Sequence, residues 1–205
     1  MCLCGGFAPA AHEPAQGRPL RHGGRWQPAG ILPNGFCFYV YGEAQYDPGR
    51  SFAELEEEYF SAAYGEDWRQ VVAYLDSISE RTNYLYLCGH ESADPEQGAY
   101  YNPAVVPDFE EIARIVRDFR PVIDAHFDQK DRCKFVSWEA LKWHSKLLEK
   151  YTAAAIAKAT NRHEEAWDIF MQIKREMTTY DLMRCNNYDH FSLMYGLNSI
   201  FKIRK

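Results

Sequence analysis

Paired carboxylates are the first feature of this 205-residue chain that could do chemistry. Hydrolysis of a glycosidic bond requires two carboxylates that face each other across a cleft, roughly 5–10 Å apart. The acidic run Glu54–Glu58 falls in the first turn of a predicted helix, where carboxylates face solvent and interact favourably with the helix dipole. Glu43 and Asp47 follow an aromatic stretch and lie either at a cleft or at a helix end; we favour the helix end. The sequence therefore predicts no complete catalytic pair.

The seven histidines and six cysteines indicate neither a general base nor a metal site. His126 and His144 fall near apolar faces of predicted helices, which favours histidines between helices with one nitrogen satisfied. The alternative is a general base, but no nucleophile is placed beside either residue. The chain has no H-x-x-x-H, C-x-x-C, P-loop, G-x-S-x-G or G-x-G-x-x-G motif. We therefore expect no catalytic residue, metal or cofactor, no activity of the chain alone, and reduced, mostly buried thiols.

Four tyrosines lie in a long connector and are the candidate ligand-binding residues. The connector, residues 82–107, carries Tyr84, Tyr86, Tyr100 and Tyr101 among glycines and prolines. A loop exposes ring faces, and flat aromatic rings stack on the apolar faces of sugars. We predict that these tyrosines stack on carbohydrate; the alternative is that they hold the loop against its own domain.

Helical periodicity organises the chain from Ser51 onward. Caps and break residues predict helices that begin at Ser51, Trp68, Asp108, Ser137 and Asn161, followed by a short apolar element over residues 188–201. Pro121 should kink or end the third of these helices. Phe36–Tyr46 fits either a strand or a helix. Five or six amphipathic helices in antiparallel hairpins predict an all-α fold.

Three tryptophans should anchor the core of this fold. Trp68, Trp138 and Trp167 fall on the apolar stripes of the predicted helices. The helices that carry Trp138 and Trp167 are expected to pair as a hairpin. We therefore expect these two rings to meet between the paired helices.

The chain divides into a tail and one helical domain. Residues 1–33 hold five prolines and six glycines without an apolar period, which predicts a flexible, disordered tail. Residues 34–205 form the predicted helical domain. No stretch supplies about 20 apolar helical residues, so we expect no membrane partner. The first residues lack a basic region, and their apolar stretch is broken by glycine and proline, which favours a cytoplasmic protein over a secreted one.

Charge is distributed unevenly along the chain. Residues 51–129 hold 5 basic and 17 acidic side chains, whereas residues 130–205 hold 14 basic and 9 acidic ones. An acidic middle repels a phosphate backbone, so we expect no nucleic-acid partner. The basic side chains of the last third stand singly between apolar positions, which is typical of solvated helix faces.

The middle of the chain resembles a known bacterial family. The run Tyr46-Asp47-Pro48, the helix Phe52–Gly65 and the stretch Val71–Leu75 are similar to domain-of-unknown-function family 4838, which occurs in large glycoside-hydrolase-like proteins. Trp138–Ala159 and Glu164–Met177 resemble that family's terminal helical pair. The similarity covers roughly residues 33–205. Two departures are Tyr46, which stands where tryptophan is common, and residues 1–30, which match nothing in the family.

The resemblance implies a helical domain that packs behind a barrel. Residues 34–47 would be the last helix of a (β/α) barrel, whose strands carry the acid and base in such enzymes and have no counterpart here. The implied function is a C-terminal accessory domain, without an active site of its own, whose partner is a barrel domain or carbohydrate. The alternative is a free-standing interaction module, because the hairpin Trp138–Met177 has the size of a tetratricopeptide-type repeat.

A missing barrel would leave an apolar surface uncovered. Phe36, Tyr39, Val40 and Tyr41 precede the first predicted hairpin and have no helix of their own to cover both sides. We therefore expect these four side chains to form an exposed apolar patch.

Overall fold

The computed structural model describes residues 35–184 and 190–202, with side chains over residues 35–180 and 193–202. All regular elements of these residues are helical, which confirms the predicted all-α fold. The α-helices are α1 (Phe36–Tyr46), α2 (Phe52–Tyr64), α3 (Trp68–Glu80), α4 (Tyr84–Leu87, one turn), α5 (Val106–Ala125), α6 (Arg132–Ala159), α7 (His163–Arg184) and α8 (His190–Phe201). The predicted tail of residues 1–33 lies outside the described residues.

The stretch that fitted either a strand or a helix is helix α1. Phe36 and Tyr39 both contact the ring of Tyr59 in α2, with centroids 5.4 Å apart in each case. Residues three apart share one face of a helix, whereas in a strand they point to opposite faces. The helical conformation therefore lets both rings pack on α2. With α1 included, seven of the described helices have eleven or more residues.

Local capping determines where α2 begins and ends. The Ser51 hydroxyl accepts the backbone N–H of Glu54, and the Glu54 carboxylate accepts the backbone N–H of Ser51 at 2.9 Å, which completes the predicted capping box. At the other end, Gly65 has a φ of 74°, a conformation that glycine adopts without strain. A 3₁₀ turn over Gly65–Asp67 then leads directly into α3.

Two helix starts lie upstream of their predicted positions. Helix α6 begins at Arg132 rather than Ser137, because the Asp131 carboxylate accepts the backbone N–H of Cys133 at 2.8 Å and caps the helix. Helix α5 begins at Val106 rather than Asp108, with a proline in its first turn. Pro121 lies inside α5, which continues to Ala125.

Asn161 ends helix α6 instead of capping α7. It has a φ of 61°, and the backbone N–H of Arg162 donates to the Ala157 carbonyl oxygen at 2.8 Å. The N–H of Asn161 donates to the Lys158 carbonyl oxygen at 3.3 Å. This is the hydrogen-bond pattern of a Schellman motif, in which asparagine tolerates the left-handed conformation. It reverses the chain within three residues, so that α7 returns along α6.

The core lies around α6, which packs against α2, α5 and α7. Trp138 is fully buried at the start of α6, where its ring meets the edge of Tyr64 at 5.2 Å. Trp167 is half-buried near the start of α7 and packs on Phe170 at 5.4 Å. Because α6 and α7 are antiparallel, these two tryptophans lie toward opposite ends of the hairpin. The prediction that their rings meet is wrong.

The two tryptophans predict a difference in stability. Trp138→Ala removes a fully buried ring, which typically costs about 3–5 kcal/mol of unfolding free energy through lost burial and the cavity that remains. Trp167→Ala should cost clearly less, because water already reaches that ring. Urea denaturation of the two variants measures the difference; equal losses would contradict the packing described here.

His144 makes the stability of the fold depend on pH. The ring is 3% exposed within α6, and burial lowers the pKa of His144 well below its usual value of 6.5. The unfolded chain therefore binds a proton at a pH at which the folded protein does not. The stabilising contribution of the neutral ring is fully present above about pH 6.5 and is lost as the pH falls below it.

Replacement of His144 should flatten the pH dependence of stability. In the unsubstituted protein this residue should lower the unfolding free energy by up to about 1.4 kcal/mol for each pH unit below 6.5. His144→Leu should remove that part of the slope, and His90→Leu, at an exposed position, is the matched control. Urea melts from roughly two pH units below the usual histidine pKa to about one unit above it measure this slope. Parallel slopes for His144→Leu and the unsubstituted protein would show that His144 is not buried.

Candidate interaction surface on the first helix

The predicted sugar-stacking tyrosines do not form one exposed platform. Tyr86 is 1% exposed, and its hydroxyl donates to the Tyr100 carbonyl oxygen at 3.1 Å. The rings of Tyr86 and Tyr100 meet edge to face at 5.8 Å. Tyr101 is half-buried, and Tyr84 is 56% exposed. The prediction is wrong for Tyr86, because a ring buried in the core has no face to offer a sugar.

The connector that carries these tyrosines is folded against α6. Asn83 caps the single turn α4 by accepting the Tyr86 N–H at 3.0 Å, and its side-chain amide contacts the Glu91 carboxylate. The side-chain amide of Asn102 donates to the Glu91 carbonyl oxygen at 2.9 Å. The backbone N–H of Asn102 donates to the Ala159 carbonyl oxygen at the end of α6, at 3.1 Å. These contacts fit the alternative in which the tyrosines hold the loop to its own domain.

His126 lies between helical elements, as predicted, but both of its ring nitrogens have partners. Its Nδ1 faces the Val122 carbonyl oxygen at 2.7 Å, and its Nε2 faces Asp67 Oδ2 at 2.9 Å. The imidazole also stacks on Trp138, with ring centroids 4.0 Å apart. The sequence analysis predicted a hydrogen-bond partner for one of the two ring nitrogens. With both nitrogens in contact with acceptors, neither is placed to take a proton from a substrate.

Arg50 joins Glu43, one of the two carboxylates considered for a cleft, to Glu58 of the acidic run. Its guanidinium donates to Glu43 at 3.1 Å and also bonds Glu58. The hydrogen bond from Arg50 holds the pKa of Glu58 below its usual value. Asp47 accepts the backbone N–H of Gly49 at 3.1 Å in the turn after α1. A general acid needs a raised pKa, so this arrangement suits an ion pair that joins α1 to α2.

The inner face of α1 packs on α2 through aromatic rings. Phe36 lies 5.3 Å from Phe52 and 5.1 Å from Phe60, measured between ring centroids. Phe36, Tyr39 and Val40 are half-buried. The expected exposed patch is therefore wrong for these three side chains, because they have α2 to cover them. Tyr41, the fourth member, is 62% exposed.

The opposite side of α1 carries a second set of uncharged side chains. This outer face consists of five exposed residues, Cys37, Phe38, Tyr41, Gly42 and Gln45. Phe38 is 42% exposed and lies one turn from Tyr41. Tyr46 at the end of α1 and Phe52 at the start of α2 are 90% and 61% exposed. A helix that is apolar on both sides is typically buried on both sides, so the outer face has the character of a contact surface.

The surroundings of the outer face are acidic. Residues 36–64, which form α1, α2 and their connection, contain six carboxylates and one basic side chain, Arg50. Three of these carboxylates, Glu54, Glu57 and Glu58, lie on exposed positions of α2. Glu56 faces Asp76 of α3, and burial followed by this like charge raises the pKa of Glu56. The outer face is therefore an uncharged surface on a helix whose neighbour, α2, is rich in carboxylates.

Three cysteines differ from the sequence expectation. Cys37, Cys88 and Cys133 form no disulfide, which agrees with the prediction of reduced thiols, but all three are exposed rather than buried. Cys37 belongs to the outer face of α1. The other three cysteines lie outside the described side chains.

The described part of the chain offers neither a cluster of metal ligands nor a membrane-spanning helix. No group of three or more histidine, cysteine, aspartate or glutamate side chains within residues 35–180 and 193–202 could hold a metal ion. None of the described helices combines the length and the apolar character that crossing a bilayer requires.

Comparisons with known proteins add no assignment to this geometry. The chain matches no protein-family model, no curated protein and no solved structure. The resemblance to family 4838 therefore stays a prediction. The fold and the surface together define an all-α protein with an uncovered aromatic helix face.

Sequence reasoning missed the outer face because it treated α1 as having one exposed patch. The signal was present, since no charged residue occurs between Phe36 and Gly42. On a helix, that composition distributes apolar side chains around the whole circumference. The role of Arg50 had no sequence signal, because it depends on how the turn brings α1 and α2 together.

Arg50 predicts the local stability of α1. Arg50→Met should leave Glu43 and Glu58 facing each other without a cation, so α1 should open more often while global stability changes little. Hydrogen exchange of the amides of residues 36–46 measures this opening. Arg69→Met, which removes the exposed ion pair with Glu57, is the control and should not change exchange in α1. Unchanged exchange in Arg50→Met would contradict the bridging role.

Proposed function

We propose that this protein is a helical docking domain that binds a protein partner through the outer face of α1. The observation that carries the proposal is the exposure of Phe38 and Tyr41 on a helix whose other side already packs on α2. Exposed aromatic side chains lose little conformational entropy on binding and bury large areas, which is why they dominate protein interfaces.

The size of the surface indicates a modest interface. At about 200 Å² for a full aromatic side chain, Phe38, Tyr41, Tyr46 and Phe52 together expose about 500 Å². Stable complexes usually bury about 800 Å² on each partner. A partner that contacts only these side chains would bind transiently, and a stable complex would need additional contacts with α2.

The charge of the hairpin suggests the chemistry of the partner. An apolar strip flanked by basic side chains would match the uncharged outer face and the carboxylates of α2. Charges at the rim of such an interface mainly accelerate association and are screened by salt. We therefore expect association with this partner to slow as the salt concentration rises.

The two functions suggested by the sequence differ in what this partner is. In an accessory domain of a glycoside-hydrolase-like protein, α1 would be the last barrel helix, and its outer face would pack on barrel strands. In a free-standing interaction module, the same face would bind a separate protein. Both functions place an apolar protein surface against Phe38 and Tyr41, so the proposed docking role covers either function.

Site-specific crosslinking tests the docking function. A photo-crosslinking amino acid at position 38 or 41 should capture a defined protein in extracts of the source cells. The same amino acid at position 195 is the control, because Tyr195 is also exposed, at 78%, but lies on α8. The captured protein is then purified and its affinity measured by calorimetry.

The affinity measurement decides the outcome. Phe38→Ser combined with Tyr41→Ser should weaken binding of the purified partner by about tenfold or more, the effect of losing about 1.4 kcal/mol. Tyr195→Ser should leave the affinity unchanged. Equal affinities for all three proteins, or capture only from position 195, would exclude the outer face as the binding surface.

A carbohydrate partner is a second proposal, favoured by the exposed ring of Tyr84 at 56%. Affinity electrophoresis in gels that contain soluble polysaccharides should then show retardation of the protein. Tyr84→Ala should lose the retardation and Tyr195→Ala should keep it. Equal mobility in all gels would exclude this partner.

A further inference from the structure

We propose that His126 is held as an imidazolium and forms a pH-sensitive latch between the end of α5 and the turn that joins α2 to α3. The imidazole bridges these two elements, because its Nδ1 contacts a carbonyl oxygen of α5 and its Nε2 contacts the Asp67 carboxylate in the turn. None of the contacts of this latch involves α1, so it is independent of the docking function.

Both hydrogen-bond partners of the ring are acceptors. The Val122 carbonyl oxygen lies 2.7 Å from Nδ1, and Asp67 Oδ2 lies 2.9 Å from Nε2. A neutral imidazole has one N–H and one lone pair, whereas the imidazolium has an N–H on each nitrogen. In either neutral tautomer, a lone pair would face an oxygen at hydrogen-bond distance. Only the imidazolium donates to both partners, and its bond to the carboxylate is then charge-assisted.

The end of α5 favours a positive charge at this position. His126 follows the last residue of α5, and its backbone N–H donates to the Ile123 carbonyl oxygen at 3.2 Å. The Val122 carbonyl oxygen therefore does not receive the backbone N–H that a continuing helix would supply four residues later. The imidazole Nδ1–H takes that place. Because the carbonyl groups at a helix C-terminus carry partial negative charge, an imidazolium is stabilised there.

The third contact of the ring is with Trp138 of α6. The two rings are stacked, with centroids 4.0 Å apart and planes that differ by 9°. The face of an indole is the negative side of its quadrupole and attracts a cation placed over it. The two acceptors, the helix end and the indole face therefore all favour the same protonation state.

Asp67 is the counterion of the latch. It is the charged side chain in direct contact with the ring. On α5 itself, Asp124 is paired with Lys142 of α6 at 2.6 Å. Lys134 of α6 lies against the turn, with its Nζ 3.6 Å from the Cβ position of Gly65, and this like charge opposes protonation of the ring. Because charge interactions fall with distance, the carboxylate in direct contact dominates.

Loss of the proton opens the latch. A neutral ring keeps one hydrogen bond and turns a lone pair toward the other oxygen, so the end of α5 and residues 65–67 lose a contact. The ring is 18% exposed, so water can exchange its proton. Histidine changes charge between about pH 5 and 8. The latch is therefore closed at the acid end of that range and opens as the pH rises, which is opposite in sign to the effect of His144.

Nitrogen-15 NMR of the histidine rings in the full chain tests the protonation state. At about one pH unit above the usual histidine value of 6.5, both ring nitrogens of His126 should have the chemical shift of a protonated nitrogen, whereas the exposed His90 should be neutral. His126→Gln identifies the signal by its loss. A lone-pair nitrogen in the His126 ring at that pH would overturn the proposal.

Asp67→Asn separates the latch from simple packing of the ring. An amide at position 67 can donate to Nε2, so a neutral ring with its proton on Nδ1 then satisfies both contacts. The imidazolium signal should therefore disappear at the same pH in Asp67→Asn. It should persist in Asp118→Asn, the matched control, which removes an exposed carboxylate of α5. An imidazolium signal that persists in both variants would show that Asp67 is not the counterion and would overturn the latch.

Hydrogen exchange measures the opening. The amides of Gly65, Trp68 and His126 donate to backbone carbonyl oxygens in the latch region. Their protection, corrected for the intrinsic pH dependence of exchange, should fall several-fold from about one pH unit below 6.5 to about two units above it. In Asp67→Asn it should stay constant over this range, and amides in the middle of α7 are the internal reference. Constant protection in the unsubstituted protein would overturn the latch.

Discussion

The burial of α6 is the constraint on which the other elements depend. This helix of 28 residues has buried side chains from Trp138 to Ala159, and α2, α5 and α7 all pack against it. At its start, Trp138 lies between the edge of Tyr64 and the face of His126. Near its end, the alanines of the last turns let neighbouring backbone approach closely, as the hydrogen bond from Asn102 to Ala159 shows. Helix α1 is outside this arrangement and packs on α2.

The parts of the fold that could be predicted depend on residues close together in sequence. The capping box of Ser51 and Glu54 and the break at Gly65 are local, and both appear in the structure. The hairpin of α6 and α7 was recognisable from periodicity, but its register was not. That register depends on the left-handed Asn161, which closes α6 and shifts Trp167 toward the opposite end from Trp138.

The candidate site was harder to predict because it depends on contacts between distant residues. Tyr84 and Tyr86 are two residues apart in the same connector, yet one is exposed and the other is buried under Tyr100. Periodicity identified α1 as apolar, but which of its sides would be covered depended on the position of α2. The ion pairs of Arg50 with Glu43 and Glu58 fix that position and leave Phe38 and Tyr41 outside.

An aromatic helix face left exposed on the side of α1 opposite α2 forms the centre of this account. The most direct measurement is the paramagnetic relaxation that a soluble gadolinium chelate causes at the aromatic ring protons of the full chain. The account predicts strong relaxation at Phe38 and Tyr41, comparable with that at the exposed Tyr195, and weak relaxation at the buried Tyr86. Relaxation at Phe38 and Tyr41 as weak as that at Tyr86 would contradict it.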